Sequence, residues 1–310
     1  MQQFLIIDGN AIVHRAFHAL PPLTDTHGRM VNAVYGFFSM LLKVMDETYP
    51  EYVVVCFDRP KPTFRKTLFA GYQAHRPAMA DGLSEQFGIL HKALEDNNIA
   101  IYELDGYEAD DIIGTLATQA KKINEKIAVK IVTGDRDLLQ LVNDNVHILF
   151  PILGITKMVE YDEEKVIEKF GVKPSQFIDY KALIGDNSDG YPGVGGIGPK
   201  TAVNLLQEFS SFDNIYHHLG EISPRIADKL ATDAEQAALA RTLATIITDV
   251  PVTLHFERCM FTNLDKNKMT QVFESLSFDS LKKRLDSLKI IKRLEEKKKE
   301  AHTGSQMSLL

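Results

Sequence analysis

Three apolar runs punctuate the first half of the chain, and each ends on an aspartate: FLIID (4–8), YVVVCFD (52–58) and VKIVTGD (129–135). Apolar character without alternation marks strands buried on both faces, hence a parallel sheet. Between the runs, apolar positions return at helical spacing over roughly 30–47, 83–97 and 108–122. The last of these opens on acids, as helix N-termini favour. Strand and helix in alternation predict an α/β domain over 1–164, mostly parallel, with helices on both faces.

Beyond about residue 160 the pattern changes. DEEKVIEKFG (162–171), KPSQFIDYKALIG (173–185), GPKTAVNLLQEF (198–209) and TDAEQAALARTLATIIT (232–248) read as short amphipathic helices joined by Gly and Pro turns. They predict a helical C-terminal domain over 165–285. The stretch 286–310 reads as a charged helix running into a flexible tail.

Composition narrows the class. Hydrophobic residues make up 45% and charged residues 25% of the 310 positions, as in soluble globular chains. Cys56 and Cys259 are too few for a disulfide framework, which suits a reducing cytoplasm. The N-terminus reads as a strand and not a signal peptide, and no apolar stretch approaches membrane-spanning length. A net charge of −7 argues mildly against a nucleic-acid partner. Distribution reverses that inference: from Arg59 to Ala80 there are five basic residues and no acid.

The acids gather elsewhere. Asp8, Asp58 and Asp135 each close a predicted strand, at the edge where open α/β sheets collect ligands. Asp137 lies two residues on; YEADD adds Glu108, Asp110 and Asp111, and GDNSD adds Asp186 and Asp189. Each taken singly is explained by helix capping, dipole complementation or a turn. Jointly they are not, because so many converging anions repel one another unless cations are bound. All-oxygen ligands without His or Cys point to hard ions, Mg²⁺ or Mn²⁺. Two such ions suit phosphodiester hydrolysis, one activating water and one stabilising the leaving oxygen.

The stretch GDNSDGYPGVGGIGPKTA (185–202) mimics two nucleotide loops and is neither. A dinucleotide fingerprint must follow a strand directly, and a phosphate loop needs Gly-Lys-Thr without the intervening Pro199. What remains is a glycine hairpin through Gly193, Gly195, Gly196 and Gly198, leading into a helix at Pro199. Its backbone amides, with Lys200 and Thr201, suit a phosphate backbone and not base readout.

Together, IIDGNA, VCFD, TFRKTLFAGYQAHRP, DGYEADDIIGTLA, VTGDRDLLQLV and YKALIGDNSDGYPGVGGIGPKTA resemble the 5′-nuclease domain of bacterial DNA polymerase I, in the flap endonuclease superfamily. The resemblance runs in order from about residue 3 to 285. It implies a PIN-like sheet, a helical domain with a helix–turn–helix-like element, and a two-metal nuclease acting on 5′ flaps and RNA-primed DNA in replication and repair. By position, Asp8, Asp58, Glu108, Asp110, Asp111, Asp135 and Asp137 match its acidic pocket, completed by Asp186 and Asp189. The glycine hairpin matches the element that grips duplex DNA and often holds K⁺ through carbonyls. The segment 59–82 matches a helical arch, with Arg15, Tyr72 and Arg76 at the scissile phosphate and unpaired base. Lys61, Arg65 and Lys66 would contact phosphates, and Tyr72 would stack on a base. The implied protein is a bacterial cytoplasmic, nucleoid-associated monomer. The tail QMSLL resembles the peptide that docks replication proteins on the sliding clamp, with Gln306 as the polar anchor and Leu309 and Leu310 filling an apolar pocket. Competing readings are a PIN-like ribonuclease and a DNA-structure-binding protein of attenuated catalysis.

Two departures from the family pattern stand out. The family reads Asp-Asn-Ile-Pro where this chain has Asp189-Gly190-Tyr191-Pro192, and it has lysine where this chain has Gln73. An amide hydrogen-bonds but supplies no positive charge at a phosphate. Gln73→Lys is expected to raise the single-turnover cleavage rate, with Lys66 or His75 covering part of the deficit in the native chain; an unchanged or lower rate would discard this account.

Overall fold

The first strand shows how the sheet is built. In the computed structural model, which describes residues 2–154 and 157–292, β1 (Gln3–Asp8) sends Phe4 and Ile6 into one core and Leu5 and Ile7 into another. All four side chains are fully buried, which is why the run carries no polar alternation. With β2 (Tyr52–Cys56), β3 (Ala100–Tyr102), β4 (Ala128–Val132), β5 (Val146–Leu153) and β6 (Lys157–Tyr161) it forms one sheet in the order β3-β2-β1-β4-β5-β6. Every pairing is parallel except that of β6 with β5.

Helices cover both faces, as expected. α1 (Gly9–Ala19), α2 (Asn32–Thr48) and α4 (Leu83–Asp96) bury Ile12, Phe37, Phe38 and Leu90 on the side of Leu5 and Ile7. α5 (Ala109–Ile123) buries Ile112, Ile113 and Leu116 on the side of Phe4 and Ile6. Between β2 and α4 lies α3 (Phe64–Leu68), the one short helix in a segment where a helical arch was expected; turns make up most of the rest. Three strands went unread in the sequence: β3 has only three residues, β5 contains Pro151, and β6 is a half-buried edge.

The chain steps outward from β1 to β2 and β3, then crosses back to β4 on the other side of β1. The carboxyl ends of β1 and β4 therefore flank a topological switch point, where side chains can converge without obstruction from a connection.

The helical half consists of α6 (Glu163–Phe170), α7 (Phe177–Ile184), α8 (Pro199–Phe209), α9 (Phe212–His217), α10 (Pro224–Thr232) and α11 (Ala234–Ala244). Its buried residues, among them Val166, Leu183, Leu206, Ile215 and Leu230, form one continuous core with the α5 face of the sheet. After α12 (Phe256–Cys259), α13 (Lys266–Ser275) and α14 (Asp279–Ser287) pack Met269, Phe273, Leu281 and Leu285 on the opposite face, beside Phe37 and Phe38. Packing therefore changes sides near residue 256 and not near 285. Leu288, Ile290 and Ile291 join the same core, so the stretch expected to be a free charged helix begins as a buried one. Gln306, Leu309 and Leu310 lie outside the described residues.

Candidate active site

Each strand-end aspartate accepts from a backbone amide at or near the start of a helix. Asp8 caps α1, accepting from the Ala11 amide at 2.9 Å, while its second oxygen accepts from the Thr133 hydroxyl at 2.7 Å. Thr133 sits just past β4 and also accepts from the Asp135 amide at 2.9 Å, and Asp135 in turn accepts from the Asp137 amide at 2.9 Å. Asp58 accepts from the Ala109 amide at 2.7 Å, pinning the start of α5, and with it Asp110, to the end of β2. Capping and convergence are thus one arrangement, because the helix N-termini all point at the switch point.

The result is a cleft of about 450 Å³ lined by Asp8, Asp58, Glu108, Asp110, Asp135, Asp137 and Asp189. Lys61, Lys66, Gln73 and Arg76 form its arch side, and Asn10 and His14 of α1, unremarked in the sequence, line it too. Asp186 adjoins the cleft: one oxygen each from Asp137, Asp186 and Asp189 lie within 4.8 Å of one another. Eight of the nine acids singled out in the sequence therefore meet.

Crowding shows in their acidity. Burial pushes Asp8 and Asp137 up to about 7, and in both cases neighbouring carboxylates add to the rise. Asp110 stands well above the usual carboxylate range through burial and then through Asp135, Asp8, Glu108 and Asp58; no described residue donates to its carboxylate. Asp186 stays below its ordinary value despite burial, because Lys181 and Ser188 donate to it. The unfolded chain releases such protons near pH 4 and the folded cup holds them to about pH 7. Their contribution to stability is thus complete below about pH 4 and lost as pH rises to about 7.

The chain answers this charge partly with its own cations. Lys181 on α7, missed in the sequence reading, places Nζ 2.7 Å from Asp137 and in contact with Asp186. Arg76 reaches Asp189 at 2.7 Å, and Gln73 donates to the same oxygen at 3.2 Å.

Several expectations are corrected. Asp111 is fully buried behind the cleft in a bidentate pair with Arg65, at 2.7 and 2.8 Å, and caps the start of its own helix through the Glu108 amide. Arg65 is 2% exposed and also donates to the Leu243 and Thr245 carbonyls, so it touches the cleft only at its floor and both side chains are engaged in structural contacts, not in the exposed phosphate and metal contacts expected. Tyr72 borders the cleft but is buried, its ring stacked on Tyr191 and its hydroxyl donating to Glu108 at 3.0 Å, and not the exposed stacking platform expected for a base. Arg15 turns away from the cleft to the Gly154 carbonyl at 2.7 Å. Lys61 is exposed but paired with Asp105 at 2.6 Å; Lys66 is exposed on the cleft wall.

The glycine hairpin forms, and its backbone needs glycine: a side chain at Gly193 would meet the Gly185 amide at 2.3 Å. Gly198 precedes α8, whose first turn carries Pro199, exposed Lys200 and half-buried Thr201. The backbone is not bare, however. The Gly195 amide donates to Asp233 at 2.7 Å. The Gly193 and Gly196 carbonyls, the kind of group through which K⁺ was expected to be held, accept from Gln236 and Lys229.

Residues 3–171 match the family described as 5′-3′ exonuclease, N-terminal resolvase-like domain, and residues 172–267 match its C-terminal SAM fold. The chain belongs to the 5′-3′ exonuclease family. It is 38% identical over 289 residues to a 5′-3′ exonuclease of Aquifex aeolicus, covering 93% of this chain and 96% of that one. It is 41% identical over 291 residues to DNA polymerase I of Caldicellulosiruptor bescii, but spans only 34% of that protein. Among solved structures, T5 5′-exonuclease with bound zinc ions shares the fold at a TM-score of 0.65, 20% identity and coverage of 93% of this chain and 99% of that one. The catalytic core of Rad2 with DNA substrate does so at 0.59 and 15%, covering 89% and 87%.

The donor set of the cup fits hard divalent cations: oxygen throughout, a carboxylate at Asp110 that no donor engages, and a lysine ammonium already seated among Asp137 and Asp186. Removing that ammonium leaves buried acids without a counter-charge, a defect that costs about 3–5 kcal/mol. Lys181→Met is therefore expected to lower Tm in EDTA by roughly 5–10 °C, and millimolar Mg²⁺ to restore most of it. A variant with unchanged Tm in EDTA would show that the lysine is not the counter-charge.

Proposed function

We propose that the chain is a divalent-metal-dependent nuclease that hydrolyses phosphodiesters of 5′-flap and RNA-primed DNA from the 5′ side, with Mg²⁺ or Mn²⁺ as its ions. One observation carries this: Asp8, Asp58, Glu108, Asp110, Asp135, Asp137 and Asp189 line a single cleft that Lys66 and Arg76 line as well. Many acids with a few cations in one cleft suit a phosphodiester and the ions that neutralise it. The chain spans about a third of the length of its DNA polymerase I relatives.

Asp58, Asp110 and Asp135 are the first-choice ligands, since each reaches the cleft from a backbone fixed by the sheet edge. Asp137, Asp186 and Asp189 form the second group. Bound ions of this kind supply an ionised water at neutral pH and neutralise the leaving oxygen. Lys66 and Arg76 orient and neutralise the phosphate from the arch side, while Lys200 and Thr201 at the start of α8 hold the duplex backbone away from the cut. Thr133 holds Asp8 in place and Asn10 holds the Asp58 amide at 2.9 Å. No helix among the described residues is long and apolar enough to cross a membrane.

Asp110→Asn is the direct test, because it removes a charge without breaking a structural hydrogen bond. On a 5′-labelled flap with Mg²⁺ it should lose cleavage at least about 100-fold while keeping or raising Tm. EDTA should abolish cutting by the native chain. Cutting of an RNA hairpin alone would favour a ribonuclease, and tight flap binding without cutting would favour a binding protein.

The C-terminal peptide is assigned to the sliding clamp on its sequence: Gln306, Leu309 and Leu310 follow a charged spacer that would tether the nuclease there. A chain ending at residue 305 should lose clamp binding in a pull-down; equal retention would end the assignment.

A further inference from the structure

Beside the acid cluster sits a hydroxyl with no partner. The loop after α7 makes a two-residue ladder, β7 (Gly185–Asp186) with β8 (Tyr191–Pro192), in which Tyr191 lies directly opposite Asp186. Directly opposed residues of an antiparallel pair project to the same face, so the tyrosine accompanies Asp186 toward the cluster. Tyr191 is 2% exposed, and its hydroxyl is buried without a hydrogen-bond partner. Its ring is fixed by a near-parallel stack on Tyr72, at 6.4 Å and 12°, and by Leu243 and Ala244 of α11.

A buried phenol without a partner is costly and calls for an occupant. Its neighbours say which kind: Asp186 lies directly across the ladder, and one oxygen each from Asp137, Asp186 and Asp189 lie within 4.8 Å of one another. An oxygen of Asp137 is buried as well, with Lys181 Nζ 2.7 Å from it. An unpaired phenol beside three clustered carboxylates describes the surroundings of a hydrated cation.

We propose that the Tyr191 hydroxyl is a positioning group for a divalent cation held by Asp137, Asp186 and Asp189, hydrogen-bonding to water in that cation's shell. Mg²⁺ keeps several of its waters when bound by carboxylates, and those waters need fixed partners. Lys181 and the cation compete for the same oxygens of Asp137 and Asp186. The sequence marks this position only as a departure from the family pattern, because the pairing that aims the ring exists only in the folded hairpin. The inference rests on the nuclease reading and assigns it one residue more.

Mn²⁺ titration of the full chain, followed by electron paramagnetic resonance without DNA, tests it with Tyr191→Phe and Asp186→Asn in parallel. Tyr191→Phe keeps the ring and the stack and removes only the oxygen. It should weaken by about tenfold the same Mn²⁺ site that Asp186→Asn weakens, while Tm in EDTA stays level or rises. Unchanged Mn²⁺ affinity would overturn the proposal and leave the nuclease reading intact. A lower Tm in EDTA would assign the hydroxyl to folding and overturn it as well. Failure of the unsubstituted chain to bind Mn²⁺ at all would overturn both readings together.

Discussion

Like charges brought together at one end of a sheet are the constraint around which this protein is arranged. Seven carboxylates line one cleft, and burial and mutual repulsion hold protons on several of them. The chain tolerates this by feeding helix N-terminal amides to the oxygens on one side and by placing Lys181, Arg76 and Arg65 on the others. What these donors leave unpaired, at Asp110 above all, is what fits the cleft to a metal ion.

The same charges tie the two halves together. Arg65, from the base of the arch segment, reaches Asp111 at the start of α5 and the carbonyls of Leu243 and Thr245 at the end of α11. Removing one partner of such a buried pair costs about 3–5 kcal/mol. Gln73 extends the seam: its backbone sits in the left-handed region at φ 54° and its amide donates to the Asp189 carbonyl at 2.7 Å. Gly190 lets the backbones meet there, since a side chain on it would lie 2.9 Å from the Gly71 carbonyl. The two departures from the family pattern, at Gln73 and at Gly190-Tyr191, are thus neighbours in one contact, which neither reveals alone.

The continuous core gives this seam its rigidity. Because α6 to α11 share apolar contacts with α5, Asp186 and Asp189 on the α7 loop are held in register with the strand-end acids. The return of α13 and α14 to the far face seals the sheet on its other side.

By itself the sequence determined the parallel sheet, the helices flanking it, the hairpin and the identity of most of the acids. Those are written in local signals: uninterrupted apolar runs, strand-end aspartates, and glycines where only glycine fits. Which carboxylates face the cleft was decided by tertiary structure alone. Asp110 and Asp111 are adjacent in the chain, yet a helix turns one toward the cleft and the other toward Arg65. The same holds for Tyr72, Arg15 and the Gly195 amide, whose partners Tyr191, Gly154 and Asp233 lie from 38 to 139 residues away. A side chain's charge and size are local properties, but the direction it faces depends on what packs against it, and that is set by contacts no sequence window contains.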